Sequence, residues 1–518
     1  MQHGARIIGL MILAAGLLGC LAKQTKVMFA DGLRYVHQAQ QIDDGSLVNG
    51  LLKAVDHPVY PLAIVAAHHE VGGHGPTDWQ KAAQLASVLA GILLVVPVYL
   101  VALELFGPTA AWLGVILTYA APLTGHVLAD ALSEGTFLLF WTWGLWCALR
   151  FLKRGTFGWL PPTIGFSALA YLTRPEGLLL PAALVLTLGV MPLLRSTRMN
   201  WPRWWAAMGV LVIGPACLVG PYIAIKGGLG TKPAIQRFLG TAPKSAADAV
   251  ERQRPLPPDQ STAKTYALAA KEMFESVRDA VTVPLLPLAL VGLLACRSFK
   301  ENGRAWLLVG TIITASVLAL IRLHATGGYC TPRHAMVLAL LLIPAAALGL
   351  DRVLRSIAIP GRWLGLGDER FKMGPAIWVL TLAGFFAWYG GRTIAPLNLT
   401  NAGYRLAGNF ILGRTAPGEP VVDVTGLAAY YGDRPAYTFA TLVAAPADPR
   451  VRYVIAREAH LNGPWTYSAR LRALVADRHL VKVFPEQPDP NQSKVYVFES
   501  REPAPAQAAM GPAGQERQ

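Results

Sequence analysis

Charge is scarce in this chain: 15% of its 518 residues are Asp, Glu, Lys or Arg, where a soluble domain carries about 25%. Acid is scarcer than base, 31 against 46, which leaves a net charge of +15. With 53% hydrophobic residues, the chain has too little polar surface to be one soluble domain. Cysteine is nearly absent as well. Four of the five, Cys20, Cys147, Cys217 and Cys296, fall within or at the ends of apolar runs and only Cys330 lies in a loop, so no disulfide framework is expected. A zinc motif is also missing. HHEVGGH at 68–74 sets His69 and His74 five apart across Gly72 and Gly73, whereas a zinc helix needs two histidines four apart. That stretch reads as a flexible loop. No internal repeat is visible.

What the chain has is hydrophobic runs of membrane length. A bilayer core needs about 20 apolar residues per helix, and eleven runs qualify, at 7–22, 82–104, 109–128, 133–151, 158–173, 176–194, 205–225, 281–296, 305–323, 335–351 and 373–391. The expected fold class is a polytopic α-helical membrane protein. The excess of base does not point to nucleic acid, which wants a basic face on a soluble domain. Here Lys153 and Arg154, then Arg195, Arg198 and Arg203, then Arg297, Lys300 and Arg304, then Arg352, Arg355, Arg362, Arg370 and Lys372 fall in every second loop. That alternation marks the cytoplasmic loops and turns the others outward. The short loop near Glu104 lacks a basic residue and Lys23 and Lys26 lie on the outer side, but the later loops outvote them. Arg6 followed by an apolar run ending LLGC resembles a lipoprotein signal with Cys20 at its end. Leu18 is large for its position before such a cysteine, and an uncleaved signal anchor is the preferred reading.

The unusual polar motifs come out on the outer side. Asp31 lies in MFADGLRYVHQ just after the first run. DHPVYP at 56–61, DALSE at 130–134, TRPEG at 173–177 and HATGGYCTPRH at 324–334 face the same way. Each has a bland explanation. A lone acid beside a membrane helix is often a solvated loop charge. Asp130 and Glu134, four apart, would share one face of a helix N-terminus, where the dipole favours acids; two such carboxylates also make a metal or substrate site. Thr173 with Glu176 spells a capping box, and Pro175 suits a first turn. Capping leaves Arg174 unexplained, and an arginine at a membrane boundary either snorkels or finds an anion such as a lipid phosphate.

Two outer loops are too long to be turns, 23–80 and 226–280. In the first, 33–52 and 58–67 carry enough apolar positions for helices lying along the interface. The second, with RQRPLPPD at its centre, reads as a mobile lid. From Arg392 the period changes. GEPVVDV, VRYVIA, LVKVF and KVYVFE read as short strands, with GLAAYYG and the run 470–475 as helices between them. The expected domains are therefore a membrane domain over 1–391, an extracytoplasmic α/β domain over 392–500, and a disordered tail over 501–518.

An acid in the first outer loop, an HPxYP-type segment, an acid pair opening the fourth run, a TRPEG boundary and an outer RH before a late helix resemble, in that order, the GT-C membrane glycosyltransferases. The pattern is most similar to glycosyltransferase family 39, with its protein O-mannosyltransferases and lipid A aminoarabinose transferases, and it covers roughly residues 1–391. The resemblance implies transfer of a sugar from a polyprenyl-phosphate donor to a protein, lipid or glycan acceptor at the outer face of the inner membrane. It implies Asp31 as general base and Arg174, Arg333 and His334 as the phosphate site. Asp56, His57, Glu176 and Tyr329 would contact sugar or acceptor, and Asp130 and Glu134 a divalent metal ion. Two departures stand out. Family members often carry paired acids in the first loop, whereas Gly32 follows Asp31; aminoarabinose transferases carry lysine before the prolines, whereas this chain has Asp56 and His57.

A transporter or flippase is the competing class. It would place its ionisable groups near the midplane on broken, repeated helices, and here they gather at one surface. A non-catalytic scaffold presenting the α/β tail would leave the aligned motifs unexplained.

Overall fold

The computed structural model describes residues 2–193, 201–230, 232–241, 262–296, 298–356, 358–360, 370–372, 375–463, 465–485 and 494–500. The expected lid centre at 252–259 and the expected disordered tail at 501–518 lie outside the described residues. By internal contacts the chain forms two units: Met1–Thr25, Arg34–Ala242 and Pro257–Leu397 in the first, and Lys26–Leu33, Pro243–Leu256 and Asn398–Gln518 in the second.

The first unit is helical. Seven helices among the described residues are long and apolar enough to cross a membrane, or nine when each of two bent pairs counts as one span. The expected eleven is not confirmed among the described residues. The run at 158–173 makes a helix of only 12 residues, Leu160–Tyr171, about 18 Å at 1.5 Å per residue and short of a bilayer core. The bends have local causes. Pro122 breaks Pro108–Ala120 from Pro122–Ala129 at 73°, because proline cannot donate to the preceding turn. Thr262–Val281 turns 90° into Leu285–Leu294 through Thr282 at φ 76 and Pro284.

Close packing rests on small residues, as expected where lipid supplies no hydrophobic drive between helices. A methyl group on Gly349 would strike the carbonyl of Leu288, and one on Gly292 that of Ala345, so Leu285–Leu294 and Met336–Ser356 touch backbone to backbone. The first long loop holds Ala30–Asp43, a π-helical turn Val48–Lys53, and Val59–Val71. Of the histidines expected in a loose loop, two have partners: His68 stacks on Trp79 at 3.6 Å, its Nε2 lies 2.9 Å from the Gly73 carbonyl, and His69 lies 3.4 Å from Asp43.

In the second unit a five-stranded sheet has the order β4-β3-β5-β7-β6, with β3 Val421–Asp423, β4 Ala436–Tyr437, β5 Tyr453–Arg457, β6 Val481–Phe484 and β7 Val495–Glu499. β1 Ala358–Pro360 and β2 Arg370–Lys372 form a separate pair that belongs to the first unit. β4-β3-β5 run parallel and β7 and β6 antiparallel. The four sequence-read strands all form; β4, of two residues, carries no alternation to read. The segment Lys26–Leu33 belongs to this unit: the Met28 amide donates to the Tyr431 hydroxyl at 3.2 Å and Asn398 Nδ2 to the Val27 carbonyl at 3.1 Å.

Candidate active site

In the first unit the polar motifs meet as two charge clusters joined by one tyrosine. The first is built on Glu134, the opening residue of Glu134–Arg154. Its Oε1 lies 2.9 Å from Arg174 Nη1 and 3.5 Å from Arg333 Nη1. Arg174 reaches Glu176 with its other nitrogen, 3.0 Å to Oε1. Such pairs are charge-assisted and, out of bulk water, stronger than surface ion pairs.

Two local expectations are corrected here. Asp130 does not share a helix with Glu134. It caps the end of Pro122–Ala129, its Oδ1 accepts the Ala131 amide at 2.7 Å, and the helix restarts only at Glu134. Nor do Thr173 and Glu176 form a capping box. Thr173 Oγ1 donates back to the Leu169 carbonyl at 2.8 Å, while Glu176 is drawn to Arg174. The capping box forms instead at Thr331 and His334, where His334 Nδ1 accepts the Thr331 amide at 3.2 Å. One face of the imidazole expected at the phosphate therefore serves the turn. Tyr329 lies against it, ring centroids 5.9 Å apart.

The second cluster surrounds Asp56, which is buried. Its carboxylate takes Arg34 Nε at 3.3 Å and Lys232 Nζ in a short contact, and its carbonyl accepts Lys226 Nζ at 3.0 Å. Lys226 also donates to the Tyr222 hydroxyl at 2.7 Å. Lys232 keeps its proton more firmly than a free lysine: burial works against it, but Tyr35 and Asp56 outweigh that. His57 is 2% exposed, its ring lies between Tyr171 at 4.9 Å and Tyr222 at 5.7 Å, and neither ring nitrogen has a hydrogen-bond partner among the described residues. Burial, with Lys226 and Lys232 adding to it, lowers its pKa to about 3, so the ring is neutral at ordinary pH.

Tyr35 links the clusters. Its hydroxyl lies 2.9 Å from Ser133 Oγ, which Arg174 Nη1 approaches at 3.5 Å, and its ring lies 6.0 Å from Lys232 Nζ. Taken together, Arg34, Arg174, Lys226, Lys232 and Arg333 face Asp56, Glu134 and Glu176. Arg34, Tyr35, Ser133, Lys226 and Lys232 were not singled out in the sequence. Lys226 ends an apolar helix, Trp201–Lys226, where a snorkelling lysine is ordinary; Lys232 in GTKPA looks like loop charge.

Asp31 lies in the first turn of Ala30–Asp43, partly exposed, and belongs to the second unit. A resident divalent ion does not fit the residues expected to hold one. Glu134 Oε1 is shared by two guanidiniums and Asp130 Oδ1 is held by backbone. Among the described residues no group of three or more His, Cys, Asp and Glu side chains is placed to hold a metal.

Residues 56–218, which contain Asp56, Glu134, Arg174 and Glu176, match the family described as dolichyl-phosphate-mannose-protein mannosyltransferase. No curated protein matches the sequence. Among solved structures, ArnT from Cupriavidus metallidurans bound to undecaprenyl phosphate is similar with a TM-score of 0.55 at 17% identity, over 95% of this chain and 97% of that one. Its apo form gives 0.57 at 16%, over 96% and 98%. The archaeal oligosaccharyltransferase AglB from Archaeoglobus fulgidus, in complex with an inhibitory peptide and a dolichol-phosphate, gives 0.53 at 11%, over 95% and 74%. The chain thus shares its fold with these solved structures, and residues 56–218 within it are similar to that mannosyltransferase family.

Proposed function

We propose that this protein transfers a sugar from a polyprenyl-phosphate carrier to an acceptor at the extracytoplasmic face of the inner membrane. The observation that carries the reading is the convergence of Arg174 and Arg333 on one carboxylate oxygen of Glu134, with Lys232 on Asp56 at the other side of Tyr35. A sugar-linked carrier phosphate is a diester with one negative charge. As the bond to the sugar breaks, it becomes a monoester approaching two. Guanidiniums and a lysine placed at that phosphate therefore favour the departing form over the bound donor, which is what lowers a barrier. ArnT bound to undecaprenyl phosphate and AglB with dolichol-phosphate support a carrier of this class.

Each group then has one task. Arg174, Arg333 and Lys232 hold the phosphate oxygens, with Glu134 and Asp56 holding the cations in place. His57, neutral and unpartnered between two tyrosines, meets a sugar hydroxyl. The acceptor oxygen attacks the anomeric carbon, the bond to the carrier oxygen breaks with its electron pair moving to phosphate, and the acceptor proton passes to Asp31 as general base. No step is routed through a metal ion, since the two guanidiniums at Glu134 supply local positive charge. A transporter or flippase is disfavoured by the family match.

The test is direct: purified protein is incubated with a panel of polyprenyl-phosphate sugars and release of free carrier phosphate is measured. Release from one or more is expected; none, with folded protein, would move the reading to transport.

A further inference from the structure

The sheet of the second unit has a switch point. From β3 the chain passes through Leu427–Tyr431 to β4 on one side, then returns to β5 on the other. Where successive connections leave in opposite directions, a crevice opens beyond the C-terminal ends of the two central parallel strands, and open α/β sheets bind ligands there.

The residues at that crevice are not those of an inert loop. Arg457 ends β5 and is half-buried; its Nη1 donates to Asn401 Oδ1 at 3.3 Å. Among the described residues it has no carboxylate partner. Its sequence neighbour Glu458 pairs with Lys494 at 2.8 Å. The acid at the end of β3, Asp423, is fully occupied: Oδ1 accepts the Thr425 amide at 3.0 Å and hydroxyl at 2.8 Å, and Oδ2 accepts the Ala428 and Ala429 amides at 2.7 and 3.2 Å. A partly buried guanidinium without a counter-charge has lost water and gained one neutral partner, which leaves it short of an anion.

Aromatic rings complete the wall. Tyr404, fully buried, lies with its hydroxyl 3.1 Å from His460 Nδ1. His460 packs edge-on to Tyr467 at 5.9 Å, and Tyr467 lies nearly parallel to Trp465 at 6.2 Å. Ser468, beside Tyr467, is 1% exposed and its hydroxyl has no hydrogen-bond partner among the described residues. A planar cation, flat apolar faces and several hydroxyl-directed groups suit a ring that bears an oxyanion.

We propose that the switch-point crevice between β3 and β5 binds a saccharide carrying a phosphate or carboxylate, its anion on Arg457 and its ring against Tyr467 and Trp465, with Tyr404 holding His460 behind them. The segment bearing Asp31 packs beside the same loop. Leu33 lies so close to Gly426 that a methyl group there would strike it, and Met28 is tied to Tyr431. The occupant is therefore the acceptor, a step that rests on the transferase reading; the binding of an anionic saccharide does not.

The experiment is calorimetric titration of the full chain in detergent, preloaded with a polyprenyl phosphate so that the first unit's cationic site is filled. The probes are glucose 1-phosphate, methyl glucuronide and neutral methyl glucoside. One or both anionic probes should bind, with the neutral one at least tenfold weaker, and the two anionic arms tell phosphate from carboxylate. Arg457→Gln should weaken the preferred probe at least tenfold, Arg457→Lys should recover part of that loss, and Tyr404→Phe should weaken it severalfold without touching charge. Asp31→Asn should bind the probes like wild type, so loss of transfer and loss of this site are read separately. No binding of either anionic probe to wild type, or equal binding to folded Arg457→Gln, would overturn the proposal.

Discussion

Arg174 holds the buried carboxylate of Glu134 at 2.9 Å, and the same oxygen faces Arg333. Removing that charge leaves two guanidiniums facing each other with their shared partner gone, and breaking a buried pair from one side costs about 3 to 5 kcal/mol. Glu134→Gln is expected to lower the thermal unfolding midpoint markedly. A polyprenyl phosphate should recover much of the loss by supplying the missing negative charge. Unfolding followed with and without the lipid checks this; a variant as stable as wild type would remove Glu134 as the organiser of the site.

The arginines themselves give the second prediction. Each contributes about 1.5 to 3 kcal/mol as a charge-assisted contact. Arg174→Ala or Arg333→Ala should weaken donor binding at least tenfold, measured by titration with the carrier lipid. Unchanged affinity in both would return them to interfacial anchors.

Asp31→Asn keeps shape and removes the proton acceptor. A general base contributes typically 10²- to 10⁴-fold, so turnover should fall on that scale while expression and donor binding stay near wild type. A variant retaining more than about a tenth of wild-type turnover would move the base elsewhere, with Asp56, Asp130 or Glu134 next to be tested.

His57 links stability to pH. Its folded pKa is lowered from 6.5 to about 3 by burial and then by Lys226 and Lys232, so between those values the unfolded chain binds more protons than the folded one. Stability from this group is complete above about pH 6.5 and is lost as pH falls, with a slope up to about 1.4 kcal/mol per pH unit. His460, lowered to about 4 by burial and Arg457, acts in the same direction. Unfolding midpoints from pH 5 to 7 should fall less steeply in His57→Gln than in wild type; parallel curves would mean the ring is solvated.

Chelation gives the fifth. Because the donor set at Glu134 and Asp130 does not fit an ion, EDTA treatment followed by gel filtration should leave carrier-phosphate release within about twofold. A loss restored by one added divalent ion would reinstate a metal role.

The sequence told most about what a bilayer or a strand period must dictate locally. Run length marked the helices, and the alternation in GEPVVDV and KVYVFE marked β3 and β7. It told little about what contacts decide. The rule that makes Thr173 and Glu176 a capping box holds only if Glu176 has nothing better to bind, and Arg174 is better. The same motif logic passed over Thr331 with His334 because histidine is not the usual third residue. Asp56 was visible, but its partners Arg34, Lys226 and Lys232 are spread over nearly two hundred positions, and no window of sequence joins them. The kinship of Asp31's segment with the α/β unit was hidden for the same reason.

That kinship bears on how the protein is made. Met28 waits for Tyr431, 403 residues further along the chain. At about 5 to 20 residues per second the ribosome needs on the order of 20 to 80 s to deliver it. During that interval membrane helices insert while the segment around Asp31 lacks its final neighbour. A chain cut short before Tyr431 would carry every membrane span and still leave its acid loop unassembled. Synthesis through the α/β unit is thus what completes the contacts of the N-terminal loop.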